Sequence, residues 1–170
     1  MTMLPDMPAG TMGPIAFTVL GTPTAQGSKR AFNNPAGGRP IMREDNFEKT
    51  KTWRQDVVVA ARNVLKVDLE LTGHPFGLGA VHVTIMFIFA RPQHHFRTGR
   101  YAHELRPNAP RLHTKKPDAD KLLRSTFDAL TTAGMWKDDC QVAGLSGEPL
   151  KVYANPGELP GARITIRSYE

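Results

Sequence analysis

Two pairs of aspartates lie close together in the second half of the chain: Asp118 and Asp120 in Lys116-Pro117-Asp118-Ala119-Asp120, then Asp138 and Asp139 in Trp136-Lys137-Asp138-Asp139. Bunched carboxylates repel. Two of them about 4 Å apart cost on the order of 4 kcal/mol at the effective dielectric of a protein surface. A fold that gathers them usually gives them a divalent cation to hold. Mg²⁺ takes oxygen ligands in octahedral geometry and keeps several waters, so three or four aspartates suit it and His or Cys suit it poorly. Lys115, Lys116, Lys121 and Arg124 surround the acids. An acidic cluster in basic surroundings points to metal-assisted chemistry on a phosphate backbone.

Each pair also has a plain structural reading. Asp118 is a good helix N-cap, and acids near a helix start complement its dipole. Asp138 and Asp139 suit a solvated turn. Arg124 lies one helical turn beyond Asp120, where it either reaches a scissile phosphate or forms an intrahelical ion pair. Taken together with the cations, the acids favour the functional reading. That reading carries a spatial condition. Asp118 and Asp120 can converge in an extended segment, where residues two apart share a side. The helix expected after them, over 120–132, is only about 20 Å long and leaves the second pair at its other end. The pairs meet only if the strand entering the helix or the chain leaving it doubles back, or if the turn after Gly134 runs back along the helix.

The elements that must position these residues read as follows. Residues 1–13, rich in Met, Pro and Gly, form an expected loose tail, and 14–170 a single domain. A strand over 15–20 is followed by a polar, glycine-rich, basic loop holding Lys29, Arg30 and Arg39. Phe47, Val57, Val58, Ala61, Val64 and Leu65 predict a helix over about 46–66. Residues 81–89 are mostly apolar on both alternating sets, which predicts a largely buried central strand. Residues 91–114, with four histidines and five arginines, read as a long loop. Leu122, Leu123, Phe127 and Leu130 predict the helix that Gly134 closes. Two last strands are expected over 141–153 and 162–168. Trp53, Phe127 and Trp136 are expected to pack the helices down, and Cys140 to be a small core residue. The order implies an α+β fold, a single mixed sheet with two main helices on one face.

Composition narrows the class. The formal charge of +6 favours an anionic partner. The single cysteine, Cys140, permits no disulfide within the chain and no CxxC metal knuckle, which fits a reducing compartment. With no basic start and apolar core at the N-terminus, and no apolar run of about 18 residues, neither a signal peptide nor a membrane span is expected, and the protein reads as cytoplasmic.

The acidic region resembles the RusA family of Holliday junction resolvases. The resemblance rests on Lys116-Pro117-Asp118-Ala119-Asp120-Lys121-Leu122-Leu123-Arg124, on Phe127-Asp128-Ala129-Leu130, and on Gly134-Met135-Trp136-Lys137-Asp138-Asp139-Cys140-Gln141-Val142. Val19 to Pro23 and Gln26 to Arg30 are similar to the family's first strand and basic loop. The resemblance implies that Asp118, Asp120 and Asp139 are metal-binding catalytic carboxylates and that Asp138 is a neighbouring helper. It places Arg124 where the family usually has a phosphate-assisting lysine, and Lys121 where asparagine is common. It also implies a Mg²⁺- or Mn²⁺-dependent homodimer, bacterial or phage-encoded, that cuts four-way DNA junctions symmetrically. Lys29, Arg30, Arg39, Lys115, Lys116 and Lys121 are then the expected backbone contacts. If about six phosphates are neutralised, the log-log salt slope of binding is near −5. The rival readings are a nuclease for flaps or forks, and a DNA-binding module without catalysis.

Overall fold

The computed structural model describes residues 13–27, 29–32, 35, 37–38, 41–44, 47–68 and 74–169; over 29–32, 41–44 and 66–68 it describes the backbone alone. The expected tail over 1–13 lies, but for Gly13, outside the described residues. The elements in chain order are β1 (Ile15–Leu20), β2 (Lys29–Phe32), β3 (Ile41–Glu44), α1 (Phe47–Asp68), β4 (Val81–Phe89), α2 (Ala119–Ala133), β5 (Val142–Ser146), β6 (Lys151–Tyr153) and β7 (Gly161–Ser168). The main sheet runs β1-β7-β4-β5, and β6 also pairs with β4. β7 is antiparallel to both β1 and β4, whereas β5 and β6 are parallel to β4. The sheet is therefore mixed, and the fold is α+β as expected. β2 and β3 form a separate antiparallel pair within the expected basic loop.

Both helices pack on one face of the sheet because their apolar stripes face it. On α1, Trp53, Val57, Ala61 and Leu65 recur every four residues and are buried. On α2 the stripe is Leu122, Ala129, Leu130 and Ala133, with Ser125 and Thr126 buried among them. These residues join Val81, Val83, Ile85, Phe87 and Phe89 of β4 and Ala162, Ile164 and Ile166 of β7 in one core cluster. The helices are also tied to each other. The Trp53 indole donates to Thr126 Oγ1 at 3.2 Å, and Arg54 pairs with Asp128. Gly134 ends α2 in the left-handed region (φ 89°), the position that favours glycine.

β4 is the largely buried central strand expected, between β7 and the β5 and β6 pair, with Thr84 alone exposed and His82 half-buried; Ile88 and Met86 find apolar partners in Val152 and Ala154. Alternation that is apolar both ways does not say what covers the second face. The helix expected over about 46–66 is present as α1; Phe47 at its start is 56% exposed, since burial begins at Thr50, one turn in. The strand expected over 141–153 is two strands separated by a turn. Gly147 lies in that break, where a Cβ would run into the Ile85 carbonyl.

Candidate active site

The first acid pair is placed by a strap along the sheet edge. Tyr153 N–H donates to the Arg111 carbonyl at 2.9 Å and His113 N–H to the Lys151 carbonyl at 3.1 Å, so residues 111–113 run antiparallel beside β6. Beyond them, the Lys151 ammonium donates to the carbonyls of Lys115 and Pro117, both at 2.7 Å. One side chain thus pins the last residues before Asp118. Behind the strap, the His113 ring stacks on Phe89 at 4.0 Å and sits 4.8 Å from Tyr153. Burial, then the charge of Lys151, lowers the His113 pKa below the ordinary histidine value.

Asp118 occupies the N-cap position of α2 with extended backbone (φ −68°, ψ 142°), yet its side chain makes no capping bond. Its carboxylate accepts from Lys121 Nζ at 3.0 Å instead. That bond, with the charges of Lys121, Lys116 and Lys151, holds the Asp118 carboxyl below the usual carboxylate range. Asp120, in the first turn, is exposed and engages no hydrogen bond or ion pair among the described residues. Arg124 is exposed as well, and no ion pair joins it to Asp120. The intrahelical reading of Arg124 is not realised.

The second pair is built differently. Asp138 caps a short 3₁₀ turn, Asp139–Gln141, by accepting from Cys140 N–H at 2.9 Å. Gln141 completes a capping box: its Oε1 accepts from Lys137 N–H at 2.9 Å and Asp138 N–H at 3.4 Å. The Gln141 amide donates to Gly77 and Gly79 carbonyls at 3.2 and 2.9 Å, which fastens the turn to the loop entering β4. The Cys140 N–H bond depresses the Asp138 pKa. Cys140 is exposed, not core, because the turn holds it at the surface. Trp136 and Phe127 do pack as expected, edge to face at 5.8 Å.

The two pairs sit at opposite ends of α2. β5 begins opposite Val81 and β6 begins opposite Phe87, six residues further along β4. That offset corresponds to about 20 Å of strand. The 15 residues of α2 span a similar length, about 22 Å. The chain does not double back after Gly134, and no three His, Cys, Asp or Glu among the described residues gather to hold a metal. One chain therefore offers Asp118 and Asp120 together, with Asp138 and Asp139 far off. The donor chemistry at the first end still suits a hard cation: two exposed carboxylates, one without any partner.

Of the expected DNA contacts, Lys115 and Lys116 are exposed beside the first pair, and Lys121 is engaged with Asp118. Arg39 and the side chains of Lys29 and Arg30 lie outside the described residues. Sequence reasoning missed Lys151. Its only local signal was a lysine at the start of a strand, and its role depends on a strap more than 30 residues away.

The family profile described as Endodeoxyribonuclease RusA matches residues 21–167. The chain belongs to this family of Holliday junction endonucleases. None of the curated proteins matches it. Among the described residues, no helix is long and apolar enough to cross a membrane.

Proposed function

Starting from that membership, we propose that this chain resolves four-way DNA junctions as a homodimer, by divalent-cation-dependent hydrolysis of two opposed strands. The observation that carries the reading is the state of the acids at the start of α2. Asp118 stands at a capping position without capping, and the Asp120 side chain engages nothing among the described residues. Acids needed only for folding would be bonded there, as Asp138 is at the far end.

Asp118 and Asp120 would hold Mg²⁺ or Mn²⁺. When bound, such a cation supplies Lewis acidity at the scissile phosphate and an acidified water as nucleophile. Lys121 neutralises Asp118; with a cation held by Asp118, the lysine would be free to meet the phosphate. Arg124, one turn along the same helix face as Asp120, meets the anionic phosphate as a two-pronged donor. Lys115 and Lys116 bind flanking phosphates, which fixes register without reading sequence. The products are a 3′ hydroxyl and a 5′ phosphate.

A second copy has a structural reason. Asp139 cannot join the first pair within its own chain, but two copies about a two-fold axis can set the start of one α2 beside the end of the other. The two-fold symmetry also matches that of a junction and addresses opposed strands. The test is an immobile synthetic four-way junction with Mg²⁺ titrated in, alongside flap, fork and linear duplex at matched salt. Paired nicks on the junction that vanish in EDTA are expected. Cleavage in EDTA, or a preference for flaps, would overturn the reading.

A further inference from the structure

The segment that runs from the end of β4 through the strap carries a surplus equal to the charge of the whole molecule. Residues 91–117 contain five arginines and two lysines against one acid, Glu104. That surplus of six equals the formal charge of the entire chain, +6, so the remaining residues balance to zero. The sequence reads this stretch as a loop; the structure makes it an ordered arm. Phe96 bridges to Leu105, Arg97 N–H donates to the Glu104 carbonyl at 2.9 Å, and Arg106 N–H donates to the His95 carbonyl at 2.9 Å. At the base, Arg91 donates to the carbonyls of Ala154 and Pro110, both at 2.8 Å, and His95 is buried edge-on to Tyr153.

Two of the arm's five arginines are spent on the fold: Arg91 holds the base, and Arg97 pairs with Glu104 at 2.7 Å. Arg97 and Arg100 both lie over the Tyr101 ring, at 4.3 and 4.7 Å. For Arg100 this cation–π contact orients the guanidinium while leaving its N–H groups outward. Arg106 uses only Nε, toward the Phe96 carbonyl at 2.8 Å. Arg97, Tyr101, Arg106 and Asn108 line an open hollow of about 440 Å³. Arg100 and Arg111 make no hydrogen bond or ion pair through their side chains among the described residues. Like charges set this close are unfavourable unless an anion visits them. The arm leads without interruption into Lys115, Lys116 and Asp118, so an anion lying along it continues toward the acids.

We propose that residues 91–111 form a second DNA-contacting element, which grips the phosphodiester backbone of a duplex arm flanking the cleaved strand. The inference rests on the nuclease reading above. It adds a surface that none of the motif residues supplies. Recognition is by phosphate charge and is independent of sequence.

The test uses the full chain with Arg100→Gln and Arg111→Gln combined, since neither side chain holds the fold together. Binding to a four-way junction and to a linear duplex is measured in EDTA across about 50 to 200 mM salt. The expected result is a log-log slope shallower by about two, and affinity lower by about tenfold or more on both DNAs. The Arg100→Lys, Arg111→Lys double variant restores both, and cleavage of saturated junction proceeds at the wild-type rate. If the wild-type chain binds DNA and the glutamine variant matches it in affinity and slope, the arm is not a DNA surface, whereas the nuclease reading stands. A wild-type chain that binds neither DNA overturns both.

Discussion

The two ends of α2 carry the same residue type and use it in opposite ways. At the far end, Asp138 accepts a backbone N–H, Gln141 reciprocates, and the turn is fastened to the loop before β4. At the near end, Asp118 has the capping position and leaves the capping bond unmade, turned instead to Lys121. The difference teaches what to look for in an acidic motif. A carboxylate that accepts backbone N–H groups is part of the fold; one that leaves its capping bond unmade and pairs only with a lysine side chain is kept for a ligand. Within one pair, Asp138 belongs to the first kind, while exposed Asp139 beside it is the residue left over.

Substitutions can break or sharpen this contrast. The largest effect is expected from Asp120→Asn. Cleavage of a junction should fall on the order of 10³-fold or more while junction binding in EDTA is unchanged; a variant with full activity would remove Asp120 from the chemistry. Next, Arg124→Ala should lower the single-turnover rate about 10- to 100-fold with an unaltered melting temperature. Equal kinetics would show that this arginine meets no phosphate. The third contrast concerns stability. Asp138→Ala should lower the melting temperature by about 3 °C through loss of its cap, whereas Asp118→Ala should leave it within error. A reversed order would undo the comparison.

The smallest effect concerns the strap behind Asp118. His113 has a folded pKa below its unfolded value of about 6.5, because burial and then Lys151 disfavour its charged form. The unfolded chain therefore binds more protons at mildly acidic pH. The stability His113 contributes is present above about pH 6.5 and is lost as pH falls toward the lowered folded value. His113→Phe should flatten part of the decline in melting temperature between pH 7 and 5. A slope identical to wild type would exclude the ring from that titration.

Much of the scaffold was legible because it rests on short-range periodicity. β1, α1, β4, α2 and β7 follow from apolar spacing, and Gly134 marks the end of α2. What escaped depends on long-range packing. Nothing in 81–89 says that Thr84 stays exposed on a strand otherwise largely covered, since that is decided by what packs on each face. The order in 91–113 comes from backbone bonds between its own arms and from anchors at Ala154 and Tyr153. The break at Gly147 had a signal, Gly and Pro within three residues, which a strand reading over 141–153 passed over. The acids were legible as chemistry but not as geometry. The expected helix already set the two pairs at its opposite ends; what the sequence left open was whether the chain returns, which packing against β4 decides.

The claim that the catalytic set is completed across two copies is tested most directly by complementation. Asp120→Asn and Asp139→Asn chains, each inactive, are co-expressed with different tags and the mixed dimer is isolated. If the start of one α2 works with the end of the other, that dimer contains one intact set out of two and should nick one strand of a four-way junction at about half the wild-type rate per dimer. A mixed dimer as inactive as either parent would contradict the account.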